Sequence, residues 1–252
     1  ESNAEIHHEG DVKGLGRVFY RTYGALKSGV GITVGLPDGN APVDINQSKI
    51  LVQNQDGEYV EVPTKVEGGT LRIDTDSLPS DYHVTRFSAV VRDILGNSKQ
   101  AVIENNTVYV DDAAPKFSGK IVFNGNAVNS TQKPGKYLTV FNSDGRFLIT
   151  ANDGNEEWQS GVKFIHYTLV SEDSGKVKED SAAVNENGVV EVPVSDHFRG
   201  YLTDVYAEDK VDNRSQEVID SEGVITEGAS MESDHGIGID IQDTPHRDEN
   251  GN

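Results

Sequence analysis

Asp93-Ile94-Leu95-Gly96-Asn97-Ser98 returns, 116 positions later, as Asp209-Lys210-Val211-Asp212-Asn213-Arg214. Upstream, Phe87, Ala89 and Val91 alternate toward the first copy as Thr203, Val205 and Ala207 alternate toward the second. This is the period-2 pattern of a half-buried strand. Downstream, Gln100, Val102, Ile103, Val108, Tyr109 and Asp111 reappear as Gln216, Val218, Ile219, Val224, Ile225 and Glu227. A strand, a tight turn and a second strand have therefore been duplicated together. Asp and Asn side chains bond backbone amides two residues on, and Gly96 or Asn97, like Asn213, can take the left-handed conformation of a short hairpin. Asp93 and Asp209 are expected to be turn carboxylates of this kind.

A 252-residue chain carrying a repeat of 116 divides into two units, each long enough for its own core. The expected limits are 16–115 and 116–230. Residues 1–15 read as a linker or the tail of a preceding module, and 231–252 as the start of a further module or a tail. Twenty-six glycines, nine tyrosines and short turn-bounded runs of Val, Ile and Thr point to an all-β chain with no sustained helical stripe.

In the first unit the strand candidates are 17–23, 31–34, 49–53, 59–62, Leu71 with Ile73, 87–91 and 100–110. Pro37-Asp38-Gly39-Asn40 and Asn54-Gln55-Asp56-Gly57 supply turns, the second closing a hairpin. In the second unit they are 117–123, 147–151, 162–170 with Ile165, Tyr167 and Leu169 on one face, 189–194 and the strand before Asp209. Ser174-Gly175 takes the hairpin position of Asp56-Gly57, Val224-Ile225 end the unit, and Pro193 marks 189–194 as an edge strand. Half-apolar strands at this spacing must bury one face against a second sheet, so each unit is expected to be an antiparallel sandwich. Ile237, Ile239 and Ile241 alternate like an opening strand.

Forty-two acidic residues against 22 basic ones repel phosphate backbones and anionic head groups, which argues against nucleic acid and membrane surfaces as partners. No apolar run has membrane length. The absence of cysteine argues for a bacterial module or an intracellular chain rather than an animal disulfide-bonded domain. Both ends read as cuts through a longer chain, where targeting signals would lie. The seven histidines are scattered, and neither a Gly-x-Ser-x-Gly elbow nor a phosphate loop occurs, so no catalytic residue is assigned. Glu5-Ile6-His7-His8-Glu9 lacks the spacing of a zinc peptidase helix.

Calcium is the one cofactor weighed, because it needs six to eight oxygens at short range. Its candidate carboxylates are Asp111 and Asp112 at the unit boundary, Asp153 and Glu156 in the acidic loop, and Asp209 and Asp212 in the repeated turn, with Asn152 able to add a neutral oxygen. Solvated acidic loops are the plain alternative. Trp158, in a polar loop, is read as a lid over the sandwich edge or, with Asn155 and Glu157, as a contact for a protein or glycan. Lys49 and Lys163 lie beside apolar strand residues, but nothing in the spacing supports an isopeptide crosslink.

Ile149-Thr150-Ala151-Asn152-Asp153 followed by Ser160-Gly161-Val162, and Tyr206-Ala207-Glu208-Asp209-Lys210-Val211-Asp212-Asn213 followed by Ser221-Glu222-Gly223-Val224-Ile225, resemble the opening and closing of the bacterial Ig-like repeats of Gram-positive surface proteins. Val110-Asp111-Asp112-Ala113-Ala114-Pro115 is similar to their boundary. Asp212 stands where those repeats carry Gly. The resemblance, over about residues 16–230, implies tandem Ig-like or fibronectin III-type β-sandwiches outside the cell, on a bacterial wall or surface. It implies a non-catalytic spacer or presentation stalk whose partners are other modules of the same chain. The alternatives it leaves are an adhesive module for a host protein or glycan, and substrate-positioning domains of a cell-envelope subtilisin-like proteinase.

Overall fold

The structure is a computed structural model. It describes residues 3–8, 17–35, 40–74, 78, 82–101, 103, 105–125, 140–141, 145–171, 174–175, 177–194, 199–219, 221 and 230–233. The chain forms two compact units, Glu1–Asp112 with Asn155–Ser160, and Ala113–Gly154 with Gly161–Asn252. The short segment Asn155–Ser160 thus counts with the first unit.

The first unit carries β1 (Asn3–His8), β2 (Val18–Tyr20), α1 (Tyr23–Gly29), β3 (Val30–Gly35), β4 (Lys49–Gln53), β5 (Tyr59–Glu61), β6 (Thr64–Glu67), β7 (Thr70–Ile73), β8 (Val84–Arg92), β9 (Ser98–Ala101) and β10 (Thr107–Val110). One sheet has the order β1-β3-β7-β6 and the other β2-β10-β8-β4-β5, with β9 on β8. Ile32, Leu71 and Ile73 of the first sheet share a core with Ile50, Phe87, Ala89, Val108 and Val110 of the second. Two findings depart from expectation. Residues 3–8, read as linker, form β1, which pairs antiparallel with β3 because a sheet can use backbone groups whatever the side-chain pattern. Strand 17–23 stops at Tyr20, because Thr22 caps a seven-residue helix by accepting Ala25 N at 3.1 Å. Leu26 anchors that helix in the core.

The second unit carries β11 (Lys116–Gly125), β12 (Val140–Phe141), β13 (Gly145–Asn152), β14 (Val162–Ser171), β15 (Val177–Ala183), β16 (Val189–Val194), β17 (Arg199–Asp209) and β18 (Ser230–Ser233). Its sheets are β16-β13-β11-β18 and β12-β17-β14-β15. Along β13 and β16 the burial alternates residue by residue, sending Phe147, Ile149, Ala151, Val190, Val192 and Val194 inward. They meet Ile165, Tyr167, Leu202, Val205 and Ala207 from the other sheet. Pro193 lies on β16, the last strand of its sheet, as its missing N–H requires. Val224-Ile225 and 234–252 lie outside the described residues; 230–233 pairs with β11.

The repeat reaches further than the duplicated turn. Glu5, Ile6, His7 and His8 face Thr33, Ile32, Gly31 and Val30, whereas Ile121, Val122, Phe123 and Asn124 face Ile149, Leu148, Phe147 and Arg146. Every pair of the second set lies 116 positions after its counterpart in the first. Two stretches with little sequence in common therefore pair in one register.

Candidate functional site

The repeated turn has the bonding its residue types dictate. Asp93 Oδ1 accepts Leu95 N and Asn97 N, both at 2.9 Å, and its Oδ2 accepts Asn97 Nδ2 at 2.9 Å. Asp209 Oδ1 accepts Val211 N at 2.9 Å and Asn213 N at 2.8 Å, and its Oδ2 accepts Asn213 Nδ2 at 2.7 Å. The surroundings differ, since Asp209 is fully buried and Asp93 lies in an exposed turn. The bonds from Asn97 hold the Asp93 carboxyl below the usual carboxylate value. Asp212 takes the place of Gly96 with φ 67 against 86, so the turn keeps its shape without glycine.

In the second unit Asp153 is buried, and its Oδ2 accepts Gly161 N at 2.7 Å. One carboxylate oxygen of Asp153 and one of Asp209 lie within 4.8 Å of each other. Two oxygens each about 2.3–2.6 Å from one calcium ion stand at most about 5.2 Å apart, so this pair fits a shared hard cation. Asn152, exposed beside them, uses its Oδ1 on Gly154 N at 3.1 Å. Asp212 is turned to another task, a 3.1 Å ion pair with Lys163. A groove of about 680 Å³, lined among others by Asn152, Asp153, Lys163, Asn185, Glu186 and Lys210, opens on the same unit.

Of the remaining calcium candidates, Asp111 is buried in the first unit and accepts Ser160 N at 2.6 Å, while Asp112 and Glu156 are exposed. Trp158 is half-buried and stacks on His83 with ring centroids 4.0 Å apart at 17°. His83 is itself fixed, with Nδ1 3.1 Å from Val110 O, where a proton on Nδ1 donates. Tyr23 flanks the same imidazole at 5.9 Å. One face of the indole is thereby taken by protein. Asn155 and Glu157 are exposed, and the Glu157 carbonyl accepts from Arg17 Nη1 at 3.4 Å.

A further cluster on β14 and β17 joins residues that no spacing relates. Glu208, whose side chain is 9% exposed, accepts Arg214 Nε at 2.9 Å and has Lys163 Nζ and His166 Nε2 at 3.7 Å each. His166 stacks on Tyr206 at 4.5 Å and 11°. Burial holds this imidazole below its ordinary pKa, opposed by Glu208 and aided by Arg214 and Lys163. The period-2 rule places His166 and Tyr206 on outward faces but is silent on which strands become neighbours.

No family model and no curated protein matches the chain. Among solved structures, it is similar to a tetra-tandem repeat from the extending region of a large adhesion protein, with a TM-score of 0.27 and 14% identity over 85% of this chain and 47% of that one. It is also similar to part of a 1.5-MDa bacterial ice-binding adhesin, with a TM-score of 0.36 and 13% identity over 85% of this chain and 61% of that one.

Proposed function

We propose that the chain is a non-catalytic spacer of a bacterial cell-surface protein, built from separately folded modules that hold another part of the parent chain away from the surface. The observation that carries this reading is the duplication itself. Each unit has its own two-sheet core, and the two share a turn and a β1/β3-type register at one spacing of 116. Duplicated units with independent cores add length and mechanical resistance without needing a reaction centre. The motifs at 149–162 and 206–225 add the surface habitat by resemblance. Pulling the chain by its two ends tests the proposal. Two unfolding events are expected, each releasing roughly 350 Å for a unit of about 110 residues. A single event would show one mechanical body and overturn the reading.

The cation of this proposal is calcium, held in the second unit by Asp153 and Asp209 with backbone carbonyls and water completing the shell. Two buried carboxylates at this separation support it, because like charges so placed favour a counter-ion. Calcium here would tie the loop after β13 to the turn after β17 and stiffen the end of the unit. Isothermal titration with calcium measures it directly, and an equal heat from Asp153→Asn would remove Asp153 from the ligand set.

A further inference from the structure

The two units treat the outer edge of their first strand differently. In the second unit β11 pairs with β13 on one side and takes β18 on the other, in parallel. The register is Lys120 to Ser230, Ile121 to Met231, Val122 to Glu232 and Phe123 to Ser233. Carried back 116 positions, the four receiving residues are Ala4, Glu5, Ile6 and His7 of β1. The equivalence rests on backbone geometry, since β1 and β11 meet their inner neighbours in one register.

Among the described residues β1 pairs with β3 alone and ends its sheet. The residues that correspond to Ser230–Ser233 in the first repeat are 114–117, and of these Lys116 and Phe117 already open β11. Among the described residues the first unit therefore has no such strand for its own edge. An open edge is a row of unsatisfied N–H and C=O groups, which proteins guard with proline, lysine or bulges. Asn3-Ala4-Glu5-Ile6-His7-His8 contains neither proline nor lysine, and its pairing with β3 is unbroken over six residues.

We propose that the outer edge of β1 is a strand-acceptor site, and that its occupant is β18 of a second copy of this chain. That strand lies parallel to β1 with Ser230–Ser233 opposite residues 4–7. The donor is one the protein already pairs to the equivalent edge. Moving it from its own β11 to a neighbour's β1 trades one set of backbone bonds for an equivalent set, so the exchange costs little and is driven by protein concentration. A net charge of −20 opposes the approach of two copies, and salt near 0.15 M, with a Debye length of about 8 Å, screens it.

The test is hydrogen exchange on the full chain at that salt, with a synthetic peptide of residues 226–237 as probe. Exchange across residues 3–8 is expected to slow about tenfold, the factor equal to about 1.4 kcal/mol. The same peptide with proline in place of Met231 should leave it unchanged. In sedimentation, the full chain should associate as its concentration rises, and a chain ending at 229 should not. Unchanged exchange at 3–8, equal slowing by the proline peptide, or association that survives the truncation would each overturn the proposal.

Discussion

Asp212 shows how a residue type can defy its position. Its φ of 67 lies where side chains other than glycine and short polar ones are strained. An Asp tolerates the conformation, and its carboxylate also reaches Lys163 at 3.1 Å. That pair is mostly exposed and contributes little. Asp212→Gly is therefore expected to shift stability by no more than about 0.5 kcal/mol, whereas Asp212→Val should cost roughly 1–2 kcal/mol. Urea unfolding of both variants checks this. His166 makes a prediction with a definite sign. Burial lowers its pKa in the folded chain below the ordinary 6.5, so between the two values the unfolded chain binds more protons. The stability contributed by the neutral imidazole is present above pH 6.5 and drains away as pH falls below it. The midpoint of urea unfolding should fall between pH 7 and 5.5, and His166→Gln should flatten that slope. Carboxylates such as Asp180, held below their usual value by Lys178, act in the same direction only at lower pH.

One turn design recurs four times among the described residues. Asn54, Asp93, Asn185 and Asp209 each use one side-chain oxygen to accept the N–H groups two and four residues on. In each, the residue three positions on has positive φ and donates back to the first carbonyl: Gly57, Gly96, Gly188 and Asp212. This is a type I turn with a left-handed closing residue, the form of a three-residue hairpin loop; it closes true hairpins after Asn54 and Asp93, while after Asn185 it leads from one sheet to the other. Gly188 is the tightest of them, because a Cβ there would sit 2.3 Å from Ala151 O. Gly188→Ala is expected to cost roughly 2–3 kcal/mol, combining a positive φ with a backbone clash, while Gly96→Ala, with open space around it, should cost clearly less. Thermal unfolding separates the two. The turns at 54, 93 and 209 were legible because Asx and Gly residues flank alternating strands. The start of the repeat was not, because β1 and β11 share a register without sharing residues, and backbone pairing leaves no signature in side chains. The same limit hid His83 beneath Trp158, where a ring stack joins residues 75 positions apart.

The chain as a whole couples strong acidity to two separately cored units, and the proposed calcium ion sets that acidity to work at Asp153 and Asp209. Of the six carboxylates read as calcium candidates, Asp112 and Glu156 face solvent, Asp212 pairs with Lys163, and Asp111 bonds Ser160 N in the first unit. Asp153 follows β13 and Asp209 ends β17, strands of different sheets, so no spacing announces that their carboxylates meet. Calcium sites of extracellular modules bind with dissociation constants of about 0.1–1 mM. A ligand that binds only the folded state adds RT ln(1 + [L]/Kd), so 10 mM calcium is worth about 1.4–2.7 kcal/mol. Because both proposed ligands belong to the second unit, calorimetric unfolding should show one transition rising in calcium and returning in chelator, with the other unmoved. Asp153→Asn should abolish the rise, since an amide keeps the shape but not the charge. Magnesium should substitute poorly, as it holds its waters and demands a tighter octahedron. Transitions indifferent to calcium would leave Asp153 and Asp209 as hydrogen-bonded turn carboxylates alone.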